Sequence, residues 1–424
     1  MVVGSGGREH ALARSLHRAP SVDAVVCAPG NPGTAAFAEN VAATDIDGWV
    51  RAARDAAVDL VVVGPEQPLV DGLADALAAV GIACFGPSGD AARLEGSKAH
   101  TKRCCARWKI PTARAEIVTD LDAGLRALDT FDEVPVVKAS GLAAGKGVIV
   151  PADRAGAEEA LRAMFVERRF GSAADEVVVE ERLHGREVSL LALCDGTDAV
   201  ALPLARDHKR LGAGDTGPNT GGMGAVAPAA LVDPGLDAAF VEAALDRFVR
   251  TALAGLRLEG SPYVGVLYAG LMVDDAGAVT LLEYNCRMGD PETQAVLPLL
   301  DGAVDLGEVF AAAAGGGGLA GVEIPTPTSA AVTLVLAAHG YPVDPRRGDP
   351  IVGLDAAVAA GCDVFHAGTA VDADGRLVTA GGRVLAVTAV AGDPVTATDR
   401  ARAGAEAIDF PGAQWRRDIG AVGP

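Results

Sequence analysis

Short apolar runs alternate with amphipathic, Ala- and Leu-rich stretches over the first 93 residues of the chain. This periodicity predicts strands at 2–3, 22–27, 60–63 and 82–85, separated by helices near 8–18, 47–56 and 70–80. Because strands that alternate with helices form parallel sheets, residues 1–93 are expected to be a parallel α/β domain. Only three residues precede Gly4, where a strand of about five is usual. We therefore expect either a truncated first strand or a start that is internal to a longer reading frame.

From residue 94 the pattern changes to pairs of short strands. Apolar runs at 134–138 and 147–150 flank a glycine-rich loop, and further runs follow at 177–180, 188–194 and 199–204. The segment 207–224 has six glycines and no apolar period, which is typical of a functional or disordered loop. The remaining pattern predicts a helix near 237–254, strands at 264–273 and 279–285, a linker at 315–318, and a C-terminal segment at 322–420 with strands at 329–336 and 383–389.

Length, charge and cysteine content narrow the class of protein. At roughly 150 residues per domain, 424 residues predict about three domains. The formal charge of -20 excludes a broad basic surface for nucleic acid, so an anionic ligand must bind in a local site. The sequence has no run of about 18 strongly apolar residues and no basic leader, and its seven cysteines lack metal-ligand spacing. We expect a cytoplasmic protein with reduced thiols and no membrane, nucleic-acid or obligate protein partner.

Lysine is confined to one part of the chain. All six lysines lie between residues 98 and 209, and the other cationic residues are arginines. Chance is one explanation. The other is that some of these positions need a compact, flexible ammonium, as a phosphate-binding lysine does.

Two glycine-rich turns are candidates for binding phosphate. Residues 4–7 follow the first strand and open a helix, so their backbone amides either meet an anion or form a tight packing turn. Residues 140–147 lie between two strands, which favours a flexible hairpin loop over phosphates. Lys138, at the end of the preceding strand, either reaches the same phosphates or is a solvated lysine.

Polar side chains cluster where two strands meet a loop. Glu180, Glu181 and Leu183 end one strand and Glu187 opens the next. Such a strand end either reads an adenine edge and ribose hydroxyls or is ordinary surface.

A second polar cluster lies on and just after a later strand. Glu283 and Asn285 are two residues apart on this strand and therefore share a face. A carboxylate and an amide oxygen suit Mg²⁺ that bridges phosphates, and the alternative is an exposed strand face. Arg287 and Asp290 follow directly, and they must pair or bind substrate if they line a cleft.

Several strings of residues, in this order, resemble one known family. The strings are GSGGREHA (4–11), GPE (64–66), LEGSKAHTK (94–102), GLAAGKGVIV (141–150), DHKR (207–210), DTGPNTGGMGA (215–225), LLEYNCRMGDPETQ (281–294), VFHAGT (364–369) and GGRV (381–384). They closely resemble the phosphoribosylamine–glycine ligase family, also called glycinamide ribonucleotide synthetase. The match covers nearly the whole chain.

The resemblance implies an ATP-grasp ligase of de novo purine synthesis with an α/β and α+β multidomain fold. It implies a parallel α/β domain at 1–93, an ATP-grasp domain at 94–318 with a small lid at about 112–183, and a mixed C-terminal domain at 322–420. The implied reaction joins glycine to 5-phosphoribosylamine through a glycyl phosphate and gives glycinamide ribonucleotide, ADP and phosphate. ATP and Mg²⁺ or Mn²⁺ are the implied cofactors.

The resemblance also implies a role for each matching residue of this sequence. ATP would be bound by Lys98, Lys138, Gly141, Gly145, Lys146, Gly147, Glu180, Glu181, Leu183 and Glu187. The metal ligands would be Glu283 and Asn285. Glycine would be held by Asp207, Arg287 and Asp290. Phosphoribosylamine would be bound by Gly4, Gly6, Gly7, Gly64, Pro65 and Glu66.

Two residues depart from the family pattern. Ser140 stands where Asp is expected, which predicts altered loop closure without loss of ATP binding. Met288 stands where Phe is common, and a flexible thioether fills much of an aromatic ring's volume.

Three other functions are consistent with parts of the sequence. One is a different ATP-grasp ligase that joins another acid and amine. The second is a nicotinamide-dependent oxidoreductase, which would use the first glycine turn and Asp23 but leave the residues at 138–293 unused. The third is a non-catalytic ligand-binding relative.

Overall fold

The first 96 residues form a five-stranded parallel sheet covered by helices. The structure is a computed structural model that describes residues 1–143, 145–315 and 318–421. Its elements are β1 (Val2–Gly4), α1 (Gly7–Arg18), β2 (Val26–Pro29), β3 (Glu39–Asn40), α2 (Ile46–Asp55), β4 (Leu60–Val63), α3 (Glu66–Val70), α4 (Leu73–Ala78), β5 (Ala83–Phe85) and α5 (Gly89–Gly96). The strand order β3-β2-β1-β4-β5 confirms the predicted α/β domain. The helix predicted near 70–80 is confirmed as α4, and Gly72, in a left-handed conformation, separates it from α3, which the pattern did not predict.

A small antiparallel sheet follows, with a hydrophobic core of its own. The elements here are α6 (Lys98–Trp108), β6 (Ala115–Val118), α7 (Leu121–Leu128), β7 (Val136–Ala139), β8 (Val148–Ile149), α8 (Arg154–Phe165) and β9 (Val177–Glu180). The strand order is β6-β9-β7-β8. Asp120 and Asp153 cap α7 and α8 by accepting hydrogen bonds from backbone N–H groups. The predicted β7–β8 hairpin is confirmed, and Ala144 in its loop lies outside the described residues.

The next part of the chain forms a second antiparallel sheet and several short strands. Its elements are β10 (Arg186–Asp195), β11 (Ala199–Ala201), β12 (Arg206–Asp207), β13 (Arg210–Gly212), β14 (Thr216–Asn219), β15 (Gly224–Ala227), α9 (Ala238–Ala244), α10 (Thr251–Leu258), β16 (Val264–Val273), β17 (Val279–Asn285), α11 (Glu292–Val296) and α12 (Leu306–Ala314). The sheet order is β11-β10-β16-β17. A π-helical turn, Leu245–Arg250, joins α9 to α10, so the predicted helix extends further than residue 254.

The segment at 207–224 is not the irregular loop that its composition suggested. β13 and β14 pair as an antiparallel hairpin within it, and β12 and β15 flank that hairpin and pair with each other. The sequence does not predict these strands, because the segment is rich in glycine and its apolar and polar residues do not alternate.

The C-terminal part contains β18 (Ala330–Ala337), α13 (Leu354–Ala359), β19 (Asp363–His366), β20 (Thr369–Val371), β21 (Leu377–Thr379), β22 (Arg383–Ala391) and α14 (Pro394–Ala407). Its main sheet has the order β12-β15-β18-β22-β19, so two strands from 206–227 belong to it. The predicted strands at 329–336 and 383–389 are confirmed, whereas residues 316–317 of the predicted linker lie outside the described residues. In the three described ranges, no helix combines the length and the apolar character that crossing a bilayer requires.

Candidate active site

A cleft of about 780 Å³ lies where all of these regions meet. Arg8 and Glu66 reach it from α1 and α3, two of the helices that cover the N-terminal sheet. Lys138 reaches it from the small sheet, and Arg383 from the C-terminal sheet. The predicted site residues that line it are Glu66, Lys98, Lys138, Gly145, Gly147, Glu180, Glu181, Leu183, Glu187, Asp207, Glu283, Asn285, Arg287 and Asp290. The cleft therefore unites two-thirds of the residues that the sequence singled out.

Lysines gather at one end of the cleft around Glu180. Lys138 Nζ lies 2.9 Å from Glu180 Oε1, and Lys102 Nζ lies 3.1 Å from Glu180 Oε2. Lys98 is at the start of α6, and among the described residues its Nζ makes one weak contact, 3.5 Å to the Gly141 carbonyl oxygen. Burial lowers the pKa of Lys98, whereas Glu180 and Glu283 outweigh burial and raise the pKa of Lys138. This end of the cleft is suited to a polyanion.

The strand end after Glu180 presents free backbone to the cleft. The Glu181 amide donates to the Arg114 carbonyl oxygen at 2.9 Å. The Leu183 amide has no hydrogen-bond partner among the described residues. An unpaired N–H at a cleft wall needs a ligand or water, so Leu183 is available to a planar ligand edge.

Glu283 and Asn285 share one face of β17, as predicted, beside a register shift in the β16–β17 pairing. In the part of the chain that the structure describes, the Glu283 carboxylate accepts no hydrogen bond, and Asn285 Oδ1 accepts one from Arg287 Nη2 at 3.2 Å. Burial opposes ionisation, but Lys209, Lys138 and Lys98 lower the pKa of Glu283 below its ordinary value. An ionised carboxylate with free oxygens beside an amide oxygen fits a divalent cation.

A divalent cation at Glu283 and Asn285 would need further ligands that are not protein side chains. No three His, Cys, Asp or Glu side chains converge on one point within the described ranges. Glu283 and Asn285 would therefore share the ion with phosphate oxygens and water, as Mg²⁺ usually requires.

Arg287 lies at the centre of a charged network further along the cleft. Its Nε donates to Glu66 Oε2 at 3.1 Å, and its Nη2 donates to Glu95 Oε1 at 2.7 Å. Burial raises the pKa of Glu95, whereas Arg287 and Arg8 overcome burial and lower the pKa of Glu66 to about 2. Glu66 is therefore an anion that holds Arg287 in the cleft wall.

Asp207 is an acidic group that has no hydrogen-bond or ion-pair partner among the described residues. Its carboxylate makes no hydrogen bond or ion pair to a described residue, although it lines the cleft. Burial raises its pKa to about 7, and the nearby carboxylates of Glu292 and Glu187 add to the rise. Lys209 Nζ lies 2.5 Å from Glu187 Oε2, so the carboxylate of Glu187 is already paired.

Asp290 is paired with the C-terminal sheet. Arg383 Nη2 lies 3.1 Å from Asp290 Oδ2, and Gln294 Nε2 donates to Asp290 Oδ1 at 2.7 Å. Arg383 Nη1 also donates to the Gly221 carbonyl oxygen at 2.6 Å. These contacts join three separate segments at one end of the cleft.

Seven predicted site residues do not line the cleft: Gly4, Gly6, Gly7, Gly64, Pro65, Gly141 and Lys146. The first turn packs around Glu9, whose Oε2 accepts a hydrogen bond from the Gly6 amide at 2.6 Å. A Cβ at Gly64 would come within 2.2 Å of Glu9 Oε1, so any larger residue there would have to displace the buried Glu9 side chain. Lys146 is exposed on the loop.

Ser140 anchors the glycine-rich loop to α6. Its Oγ lies 3.0 Å from Ser97 Oγ and accepts from the Ala99 amide at 3.1 Å, while its carbonyl oxygen accepts from the Lys98 amide at 2.8 Å. The residue that departs from the family pattern therefore makes local hydrogen bonds in this chain.

Some cleft residues received no role from the sequence. They are Arg8, Glu95, Lys102, Tyr268, Glu292 and Arg383. Glu292 Oε1 accepts from Tyr268 Oη at 2.8 Å and from Ser189 Oγ at 3.2 Å, and only 3% of Glu292 is exposed. The sequence did contain a signal for five of these residues, because they lie within the strings that carry the family resemblance: Arg8, Glu95, Lys102, Glu292 and Arg383.

The family is shown by comparison with known proteins. Models of phosphoribosylglycinamide synthetase match residues 1–95 (N domain), 96–293 (ATP-grasp (A) domain) and 331–422 (C domain). The phosphoribosylamine–glycine ligase of Caulobacter vibrioides is 48% identical over 423 residues, which are 99% of this chain and 97% of that protein.

Solved structures agree with the family match. The crystal structure of phosphoribosylamine–glycine ligase from Thermotoga maritima has a TM-score of 0.83 and 33% identity, over 98% of each chain. The biotin carboxylase domain of Hydrogenobacter thermophilus 2-oxoglutarate carboxylase, solved with MgADP, has a TM-score of 0.69 over 98% of this chain and 91% of that one. At 16% identity it shows the fold alone. The chain therefore belongs to the phosphoribosylamine–glycine ligase family, a family of ATP-dependent ligases of purine biosynthesis with an ATP-grasp domain.

Proposed function

We propose that this cleft joins glycine to 5-phosphoribosylamine, converts ATP to ADP and phosphate, and releases glycinamide ribonucleotide. One observation carries the proposal. A lysine-rich group suited to a triphosphate and the side chains of Asp207 and Arg287 line one continuous cleft. The charges of Lys138 and Lys98 from the first group and of Arg287 from the second all act on the Glu283 carboxylate.

The lysine-rich end is the proposed nucleotide site. The Lys98 ammonium has only one weak contact among the described residues, and Lys138 and Lys102 are held by Glu180. The Leu183 amide and the strand end beside it are proposed to meet adenine, and Glu187 the ribose. The loop that contains Gly141, Gly145, Lys146 and Gly147 is proposed to cover the phosphates.

Glu283 and Asn285 are the proposed ligands of Mg²⁺ or Mn²⁺. The ion, when bound, supplies positive charge that neutralises the triphosphate. The Glu283 carboxylate accepts no hydrogen bond from a described residue, which supports the assignment, because an ionised carboxylate in a cleft needs a cationic partner. Lys209, Lys138 and Lys98 keep it ionised.

The other end is the proposed site of glycine and phosphoribosylamine. The free carboxylate of Asp207 suits the glycine ammonium, and Arg287 suits the glycine carboxylate, with Glu66 and Glu95 fixing its guanidinium. In this proposal, Asp290 orients the guanidinium of Arg383. The turns that contain Gly4, Gly6, Gly7, Gly64 and Pro65 support the wall that carries Glu66 and Arg8, where phosphoribosylamine would lie.

The proposed chemistry has two steps. A glycine carboxylate oxygen attacks the γ-phosphorus, a P–O bond to ADP breaks, and glycyl phosphate forms. The amine nitrogen of phosphoribosylamine then attacks the acyl carbon, the C–O bond breaks, phosphate leaves with the bonding electrons, and the nitrogen releases a proton to give the amide. The chain orients the substrates and stabilises charge, as in phosphoryl transfer generally.

The domain division also stays a proposal: 1–93 for the amine substrate, 94–318 for ATP with a lid at about 112–183, and 322–420 to complete the cleft. The third part receives β12 and β15 from the second, so the domains share a sheet. A different acid or amine on the same nucleotide site is the competing function.

Substrate dependence of ADP formation tests the proposed function. ADP release should require both glycine and freshly generated phosphoribosylamine, and alanine or ribosylamine should not replace them. ADP release that needs neither substrate would refute the proposal.

A further inference from the structure

The hairpin of β13 and β14 forms one wall of the cleft but has little support of its own. Arg210, Asp215 and Asn219 line the cleft, and Thr220 continues the wall. The two strands form a separate two-stranded sheet, and β14 is exposed at every position. A two-stranded hairpin is marginally stable in water, and its glycines add freedom to the backbone. This wall needs contacts from elsewhere to keep one shape.

Those contacts come from the C-terminal tail. Arg416 is only 2% exposed, and its Nη1 donates to Asp215 Oδ1 at 2.6 Å and to the Arg210 carbonyl oxygen at 3.1 Å. Its Nε and Nη2 donate to Asp418 Oδ1 and Oδ2 at 3.0 and 2.6 Å. Asp418 Oδ2 also accepts from the Gly214 amide at 2.9 Å. One guanidinium and one carboxylate therefore hold the first strand and the tip of the hairpin.

The tail is itself fixed to the C-terminal core. Ile419 is fully buried, and Thr398 Oγ1 donates to the Gly420 carbonyl oxygen at 2.8 Å. A Cβ at Gly224 would come within 2.9 Å of Ile419 Cδ1, so the tail packs closely on β15. The tail therefore fixes the hairpin relative to the C-terminal core.

We propose that Arg416 is a positioning residue for the ligation: with Asp418 it ties the cleft-lining hairpin to the C-terminal core and sets where Asn219 and Thr220 meet the acid and amine substrates. The identity of those substrates rests on the proposed function. Arg416 is not among the described residues that line the cleft, so it acts through the hairpin. Hydrogen bonds from Arg416 lower the pKa of Asp418 to about 2, so the pair stays charged near neutral pH.

Arg416→Met tests the proposal, and Arg417→Met is its matched control. Arg417 is the next residue, but its side chain is 67% exposed, pairs with Glu406 of α14 and lies over Trp415. It makes no hydrogen bond to the hairpin among the described residues. In Arg416→Met we expect the KM of glycine, phosphoribosylamine or both to rise by about tenfold, while the KM of ATP changes by less than about twofold. Trypsin should also cut faster after Arg210. Arg417→Met should match the wild type in all of these values.

A second variant covers the case in which Arg416→Met does not fold. Asp215→Asn keeps the buried Arg416–Asp418 pair and should raise the same KM by about threefold, with faster cleavage after Arg210. Unchanged KM values in a folded Arg416→Met or Asp215→Asn variant would overturn the proposal, even with faster cleavage. An equal rise in the KM of ATP would overturn it as well. A wild-type enzyme that fails to use glycine and phosphoribosylamine would instead refute the proposed function, while cleavage after Arg210 would still report whether Arg416 holds the hairpin.

Discussion

Lys138 is expected to serve both folding and nucleotide binding, and one pair of substitutions separates these roles. Its ammonium lies 2.9 Å from Glu180 Oε1, and 3% of the Glu180 side chain is exposed. Lys102 lies 3.1 Å from the other oxygen of the same carboxylate. Lys138→Met therefore removes one of two cations from a buried anion and leaves the second in place.

The magnitude follows from that arrangement. A hydrogen bond to a charged group contributes about 1.5–3 kcal/mol, and a buried ion that loses its partner costs about 3–5 kcal/mol. Because Lys102 remains, we expect the free energy of unfolding to fall by about 2 kcal/mol. The same ammonium is proposed to contact the ATP phosphates, so nucleotide affinity should fall by about 10- to 100-fold.

Urea denaturation and calorimetric titration with a non-hydrolysable ATP analogue measure the two effects. In the double variant Lys138→Met/Glu180→Gln the carboxylate that lost one of its two cations is neutral, but Lys102 then loses its anionic partner, so only part of the stability should return. Nucleotide affinity should stay low, because the phosphate contact is still missing. Recovery of full affinity in the double variant would mean that Lys138 acts only through Glu180, and the proposed phosphate contact would be wrong.

Three further substitutions test other parts of the site. Glu283→Gln should lower metal-dependent turnover by about 100-fold or more and raise the metal concentration that half-saturates the enzyme; unchanged metal dependence in a titration would remove Glu283 from the ligand set. Because the pKa of Asp207 is raised from 3.8 to about 7, the wild-type KM of glycine should rise as the pH falls from about 8 to 6, and Asp207→Asn should abolish this trend. The raised pKa of Asp207 also stabilises the folded state at low pH, and this stabilisation is lost as the pH rises through about 7. The melting temperature of the wild type should therefore include a decrease over this pH range that Asp207→Asn does not show. Gly64→Ala places a Cβ 2.2 Å from Glu9 Oε1 and should destabilise the fold by about 1–3 kcal/mol in denaturant titrations; a neutral result would show that Glu9 moves freely.

The sequence predicts strands and helices best where burial imposes a regular pattern of apolar residues. β1 is buried at all three of its residues and β4 at three of its four, so their apolar runs identified the parallel sheet. Glu283 and Asn285 share a face because side chains alternate along a strand, which needs no tertiary knowledge. The β13–β14 hairpin escaped prediction because it has no apolar face and is held by Arg416, about 200 residues later in the chain.

Pairing between distant charges could not be read from the sequence. Glu187 meets Lys209, Asp290 meets Arg383, and Glu180 is shared by two lysines. The first two pairs depend on how segments from different regions face one another across the cleft, whereas Lys138 and Glu180 lie on adjacent strands of one sheet and Lys102 lies on α6. The resemblance indicated which residues matter, whereas the geometry indicates which of them keep a free carboxylate, amide or ammonium for a ligand.

The fate of the glycine carboxylate oxygens tests the central claim most directly. With glycine labelled by ¹⁸O in both carboxylate oxygens, ATP, Mg²⁺ and phosphoribosylamine, the two proposed steps transfer one labelled oxygen to the released phosphate and leave the other in the amide product. We predict one ¹⁸O atom in each phosphate, in equal amounts with ADP and glycinamide ribonucleotide, as measured by mass spectrometry. Unlabelled phosphate formed together with the amide product would contradict a glycyl phosphate route through this cleft.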